Sequence, residues 1–213
     1  MPLTKLVCLD RDGTINHDVK YLGRNDNWQA QLKIYDGVAD CIKQLRTSPD
    51  IYISVISNQA GIALGYFNES RVQAINSEIA ERLAQEHASI DSWHFCPWVT
   101  TEYADAKDIK LKNWVDDKMA SLLRKPATGM VRLAAEALKI DLKYCYVYVI
   151  GDKVEDVQTG LNANGTGILF DNGENSKEVA KLLQMRKHPE YQNRTHIAAN
   201  LEAAANLILN SRI

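Results

Sequence analysis

Leu3-Thr4-Lys5-Leu6-Val7-Cys8-Leu9 is a short apolar run that stops at Asp10-Arg11-Asp12-Gly13-Thr14. It reads as a buried strand with a charged turn at its carboxyl end. Ile51-Tyr52-Ile53-Ser54-Val55-Ile56 is β-branched and aromatic, and gives way to Ser57-Asn58-Gln59. Cys145-Tyr146-Val147-Tyr148-Val149-Ile150 repeats the pattern and ends at Gly151-Asp152-Lys153. Both read as strands.

Helical periodicity fills the intervals. Val38, Cys41, Ile42 and Leu45 mark a helix from Gly37 to about Thr47, with Asp36 as N-cap. Val72, Ile75, Ile79 and Leu83 mark another over roughly 69–87. Met130, Val131, Ala134, Ala135 and Leu138 form a third helical face, and a fourth helix is expected over about 154–164. Trp93-His94-Phe95 and Gly167-Ile168-Leu169-Phe170 read as further short strands, and helices are expected near 176–186 and 200–210. Residues 16–35 are polar and irregular. Residues 96–123 read as an insertion or flap holding Trp98 and Trp114. Strands separated by helices imply βαβ units. The expected fold class is therefore α/β: a doubly wound parallel sheet, Rossmann-like, with minimal cap insertions.

In such sheets ligands bind beyond the carboxyl ends of the strands. Asp10 and Asp12, Ser57, Asp152 with Asp156, and Arg124-Lys125 before the third helix are all expected on that edge. Two neighbouring carboxylates repel unless a cation lies between them. With Asp152 and Asp156 they make a hard oxygen site of the kind Mg²⁺ favours. Arg124 and Lys125 suit a phosphate. A carboxylate beside a bound phosphate can attack phosphorus, and a second can protonate the leaving alkoxide and then activate water.

Asp10-x-Asp12-x-Thr14, Ser57, Lys125 and Gly151-Asp152-x-x-x-Asp156 resemble, in order, the four motifs of the haloacid dehalogenase superfamily of phosphohydrolases. The resemblance covers residues 6 to about 170. It implies Asp10 as nucleophile, Asp12 as general acid/base, and Ser57 and Lys125 holding the phosphoryl group. It implies Mg²⁺ bound by Asp10, Asp152 and the Asp12 backbone carbonyl, with Asp156 as a further ligand or an orienting residue. Asp10-Arg11-Asp12-Gly13-Thr14-Ile15-Asn16, Ser57-Asn58-Gln59-Ala60-Gly61-Ile62-Ala63, Arg124-Lys125-Pro126 and Gly151-Asp152-Lys153-x-Glu155-Asp156 are similar, more narrowly, to the D,D-heptose 1,7-bisphosphate phosphatase and histidinol-phosphatase branch. That likeness implies that Arg124 and Lys153 face substrate, that Asp18 to Tyr21 line its pocket, and that Asn58 and Gln59 sit beside the phosphoryl group.

The chain departs from that branch in one loop. The branch carries Cys-x-His and then Cys-x-Cys before Arg-Lys-Pro, holding zinc. Here Cys96 is followed by Pro97-Trp98, and Ser121-Leu122-Leu123 precedes Arg124. One ligand of four makes no structural zinc site, so no zinc is expected. The loop is instead expected to pack down through Trp98, Trp114, Val115, Met119 and Leu122.

Composition narrows the rest. The 213 residues are 46% hydrophobic and 24% charged, which fits one domain, 1–213, with a loop insertion at about 96–123. Neither that insertion nor the interval after the first motif holds the ~50 residues of a separate cap domain, so an open site is expected. Net charge is −2, so no broad basic field favours nucleic acid. Four scattered cysteines, no apolar run of membrane-spanning length and no leader-like N-terminus lead to an expected cytoplasmic protein without membrane partners. Composition leaves the oligomeric state open. The expected activity is Mg²⁺-dependent hydrolysis of a small phosphorylated metabolite through an aspartyl-phosphate, on a sugar phosphate or bisphosphate such as D-glycero-D-manno-heptose 1,7-bisphosphate. Histidinol phosphate, a 3′-phosphorylated nucleic acid end, and a non-catalytic phospholigand-binding role are the alternatives, in that order.

Overall fold

The computed structural model describes residues 3–109 and 113–211. Its first half runs β1 (Thr4–Leu9), α1 (Trp28–Gln31), α2 (Val38–Leu45), β2 (Ile51–Asn58), α3 (Ala60–Ala63), α4 (Glu69–Gln85) and β3 (Ser92–Cys96). Then come α5 (Thr101–Ala106), α6 (Asp117–Leu123), α7 (Gly129–Ala137), β4 (Cys145–Gly151), α8 (Val154–Asn162) and β5 (Thr166–Phe170). The chain closes with α9 (Ser176–Met185), α10 (Pro189–Gln192), β6 (Thr195–Ala198) and α11 (Leu201–Asn210).

The strands form one six-stranded sheet in the order β3-β2-β1-β4-β5-β6. All five pairings are parallel. The doubly wound α/β expectation is therefore met. β1 is flanked by β2 on one side and β4 on the other, so the winding reverses there. That reversal opens a crevice at the carboxyl ends of β1 and β4.

The unbroken apolar character of β1 has a direct cause: both of its faces are covered. Val7 and Leu9 point into one layer with Ile53 and Val55 of β2, Ile42 and Leu45 of α2, Ile75 and Ile79 of α4, and Ile208 of α11. Leu6 and Cys8 point the other way, onto Met130, Val131 and Ala134 of α7. Successive strand side chains alternate faces, so a strand between two helical layers cannot carry a polar face. All four cysteines are free thiols.

Several local expectations need correction. The N-cap of α2 is Gly37, at φ +82°, not Asp36; only glycine takes that left-handed turn without a Cβ penalty. β2 continues through Asn58, so Ser57 is the penultimate residue of the strand rather than the start of the loop. Residues 96–123 are not a plain flap. They hold α5 and α6, capped by the side chains of Thr100 and Asp116, and a bridge between Val99 and Val115. Trp98 and Trp114 meet edge to face at 4.8 Å. Leu122, expected to help pack this segment down, is exposed; it sits on the solvent side of α6. Residues 110–112 of the segment lie outside the described residues. Among the described residues no helix is long and apolar enough to cross a membrane.

Candidate active site

The crevice at the β1/β4 reversal collects its side chains from five segments. Asp10 follows β1 directly and extends the ladder, its N–H donating to Ile150 O at 2.8 Å. Asp152 follows β4. Gly13, at φ +96°, brings the turn after β1 so close to Asp152 that a Cβ there would collide with its carboxylate. Asp156 stands in the first turn of α8, where its Oδ2 accepts the Lys153 N–H at 3.1 Å. These three carboxylates are buried, and each offers an oxygen within 4.8 Å of the others. Among the described residues theirs is the one group of three or more acidic, histidine or cysteine side chains that could share a metal ion.

Lys125 reaches into this group from the start of the turn before α7. Its ammonium lies 2.5 Å from Asp10 Oδ1 and 2.6 Å from Asp156 Oδ1. Asn58, at the end of β2, fixes the lysine backbone from both sides: its Oδ1 accepts the Lys125 N–H at 3.0 Å, and its Nδ2 donates to Lys125 O at 3.2 Å. The same Nδ2 donates to Glu155 Oε1 at 2.7 Å. Ser57 is buried, and its hydroxyl accepts from Gln59 Nε2 at 2.8 Å. A second bond from Gln59 Nε2, also 2.8 Å, reaches Asp12 Oδ2. Asp10, Asp12, Ser57, Asn58, Lys125, Lys153, Glu155 and Asp156 line a cavity of about 40 Å³. A far larger groove, about 710 Å³, lies between α8 and α9 and carries none of these groups. The small cavity is the candidate site, because among the cavities of the described residues it is the one lined by carboxylates and lysines together.

Electrostatics sort the carboxylates. Burial pushes Asp10 up to about 6, against the opposing pull of Lys125. Burial, reinforced by the charge of Asp10, pushes Asp152 up to about 8. Asp152 Oδ1 is also buried without a hydrogen-bond partner. Such an oxygen is costly unless a cation or donor meets it, so the donor set fits a hard divalent ion. Asp12 behaves differently. Burial alone would raise it, but the Arg11 guanidinium and hydrogen bonds from Asn16, Arg11 and Gln59 hold it below the usual carboxylate range. Burial opposes the charge on Lys125 and Lys153, yet their acidic neighbours more than compensate and hold both as cations.

Of the remaining expected residues, Lys153 lines the cavity, and Asp18, Tyr21 and Arg124 lie outside its lining. Lys153 Nζ lies 3.7 Å from Asp18 Oδ2, and Asp18 Oδ1 accepts the Lys20 N–H at 2.8 Å. Tyr21 packs edge-on to Tyr66 at 5.0 Å. Arg124, beside Lys125, lies over the Tyr103 ring. Three contributors have no counterpart among the expected site residues. Arg11 is 1% exposed, donates to Asp12 Oδ2 at 2.8 Å and to Asn76 Oδ1 at 3.1 Å, and so ties the first turn to α4. Asn16 donates to Asp12 Oδ1 at 3.0 Å. Glu155 anchors Asn58. A charged residue directly between two motif aspartates was the available cue for Arg11. Cys96, the remnant of the zinc pattern, is buried, with its Sγ 3.7 Å from Trp98 O.

Known proteins agree with this picture. A family model described as HAD-hydrolase-like matches residues 122–204. The D-glycero-beta-D-manno-heptose-1,7-bisphosphate 7-phosphatase of Haemophilus influenzae is 33% identical over 161 residues, 76% of this chain and 78% of that one. The protein of that name from Yersinia pestis is 31% identical over 206 residues, 96% of this chain and 89% of that one. Among solved structures, the D,D-heptose 1,7-bisphosphate phosphatase from B. bronchiseptica, complexed with magnesium and phosphate, superposes with a TM-score of 0.71 at 26% identity, covering 97% of this chain and 98% of that one. Sheet, site and relatives define a class: phosphoric monoester hydrolases built on a parallel α/β sheet. The chain belongs to the haloacid dehalogenase-like phosphatases, in the family of the heptose 1,7-bisphosphate 7-phosphatases.

Proposed function

We propose that this phosphatase removes one phosphate from a sugar bisphosphate, D-glycero-D-manno-heptose 1,7-bisphosphate being the favoured substrate. The observation that carries the reading is the Asp10–Lys125–Asp156 contact set beside Asp152, in a chain whose relatives across most of its length are phosphatases of that sugar.

Asp10 is the nucleophile. Its carboxylate oxygen attacks phosphorus, the bond from phosphorus to the leaving oxygen breaks, and an acyl phosphate forms on Asp10. Lys125 and Ser57 hold the phosphoryl oxygens, and Asn58 fixes Lys125 in place. Asp12 moves the proton. It rests ionised on Arg11, and leaving that guanidinium raises its proton affinity, so that it takes a proton from solvent and gives it to the departing alkoxide. Ionised again, it takes a proton from the water that attacks the acyl phosphate, which frees inorganic phosphate and restores Asp10. A magnesium ion would be held by Asp10 and Asp152, where it supplies charge neutralisation of the phosphoryl oxygens. Asp156 completes the carboxylate group and anchors Lys125. Lys153 and Arg124 face the remainder of the substrate.

The test is phosphate release with Mg²⁺ across heptose 1,7-bisphosphate, other sugar phosphates, histidinol phosphate and a 3′-phosphorylated oligonucleotide. The heptose bisphosphate should give the highest kcat/KM, by at least ~10-fold. A higher value for histidinol phosphate or the oligonucleotide contradicts the proposal.

A further inference from the structure

A chain of aromatic and cationic side chains leads outward from Lys125. Arg124 precedes it, and the Arg124 guanidinium carbon lies 5.4 Å from the centroid of the Tyr103 ring. Burial, and after it the nearby Tyr21 side chain, push the Tyr103 hydroxyl up to about 12. Tyr21 meets Tyr66 edge to face at 5.0 Å, and Arg24 lies 4.1 Å from the Tyr66 centroid. Three half-buried tyrosines are thus bracketed by two guanidinium groups.

Two features indicate that this cluster receives something. Arg124 Nη1 is buried with no hydrogen-bond partner. An unmet guanidinium N–H is costly, and an acceptor brought by a substrate relieves it. Lys20 and Tyr21 also hold consecutive positive φ angles, +53° and +65°. Such a conformation is unfavourable for a non-glycine residue and persists where surrounding structure needs it. Here the turn presents the Tyr21 ring to Tyr66. Phenol rings offer an apolar face with a polar tip. Such faces suit the C–H surface of a sugar, and the hydroxyls and guanidinium suit its oxygens.

Resting on the sugar-phosphate reading, we propose that Tyr103 determines leaving-group specificity: presented by α5 and set beneath the Arg124 guanidinium next to Lys125, it is the wall against which a polyhydroxylated leaving group packs. α5 belongs to the segment that carries the zinc loop in the resembling branch, so the wall comes from the part of the chain that lacks the branch's zinc-ligand pattern.

The experiment compares wild type, Tyr103→Phe and Tyr103→Ala in steady-state hydrolysis of heptose 1,7-bisphosphate. Inorganic phosphate serves as an inhibitor that fills the phosphoryl end alone. Tyr103→Ala should raise KM ~10-fold or more with kcat within about threefold. Tyr103→Phe, which keeps the ring and loses the hydroxyl, should fall between. The inhibition constant of phosphate should stay within about twofold in both variants. An unchanged KM in Tyr103→Ala overturns the inference alone, as does a parallel rise of KM and the phosphate constant, which marks a collapsed site. A wild type that does not hydrolyse the heptose bisphosphate overturns the inference together with the reading on which it rests.

Discussion

The pocket at the carboxyl ends of β1 and β4 and the segment 97–123 that borders it are built by opposite means. The pocket is a polar network inside the protein. Asp10, Lys125, Asn58 and the neighbours Glu155 and Asp156 come from four separate segments and are joined by hydrogen bonds and ion pairs of 2.5–3.2 Å. The bordering segment is a thin apolar layer: Val99, Ala104 and Ile109 pack on Ala60 and Ala63 of α3, with Trp114 and Val115 at the edge. Its two short helices are started by the side-chain N-caps Thr100 and Asp116 and bury little. Buried polar networks fix geometry because each member is costly to leave unpaired. A thin apolar layer tolerates exchange so long as volume is kept. Chemistry therefore resides where the chain has least freedom, and selectivity where it has more.

That contrast can be broken at its rigid end first. Asp10→Asn should abolish turnover, because an amide cannot form the acyl phosphate. Substantial activity in that variant would move the nucleophile elsewhere. Chelation comes next: EDTA should stop phosphate release and Mg²⁺ should restore it. The same ion should raise the melting temperature, and by more at higher pH. Asp152 titrates at about 8 in the folded protein without metal, against about 4 when unfolded. The folded state thus binds the extra proton between those values, and stability falls as pH rises through the window. Above it Asp152 is charged and facing Asp10, which is the repulsion the ion relieves. A melting increment that shrinks from pH 6 to pH 8.5 would contradict this account. Asp12→Asn should slow turnover by roughly 10²–10⁴, since both proton transfers lose their carrier.

The smaller effects belong to the bordering segment. Trp114→Ala should cost on the order of 2 kcal/mol of stability, less than a fully buried tryptophan, because its ring is half-buried against Trp98. It should raise KM more than it lowers kcat. Elemental analysis should find no stoichiometric zinc, and a zinc-selective chelator should leave the melting temperature unchanged. One tightly bound zinc per chain would show that this layer is pinned by ligands other than Cys96.

The two regions also differ in how much the bare sequence discloses. β1, β2 and β4 announce themselves because a strand covered on both faces must be apolar throughout, and the residues just past them then fall on one edge. Asp10, Asp12 and Asp152 could be placed together on that ground alone; Lys125, which precedes a helix, joined them through its place before that helix and the order of the four motifs. β6 was missed: Thr195–Ala198 is a four-residue edge strand paired only with β5, too short for a period to emerge. The N-cap of α2 was misassigned, since the left-handed turn at Gly37 leaves no mark except the glycine. Arg11 lay in plain view, yet its role depends on Asn76, 65 positions away. Tyr103 was beyond reach for the same reason: its contacts with Tyr21 and Arg124 join residues that no local pattern relates.

The stereochemical course at phosphorus tests the central claim most directly. A substrate thiophosphate made chiral with oxygen isotopes, hydrolysed in water carrying the third isotope, should yield chiral inorganic thiophosphate with retention of configuration, because each in-line displacement inverts and the route through Asp10 contains two. Inversion would mean that water attacks the substrate in a single step, and Asp10 would then not be the nucleophile.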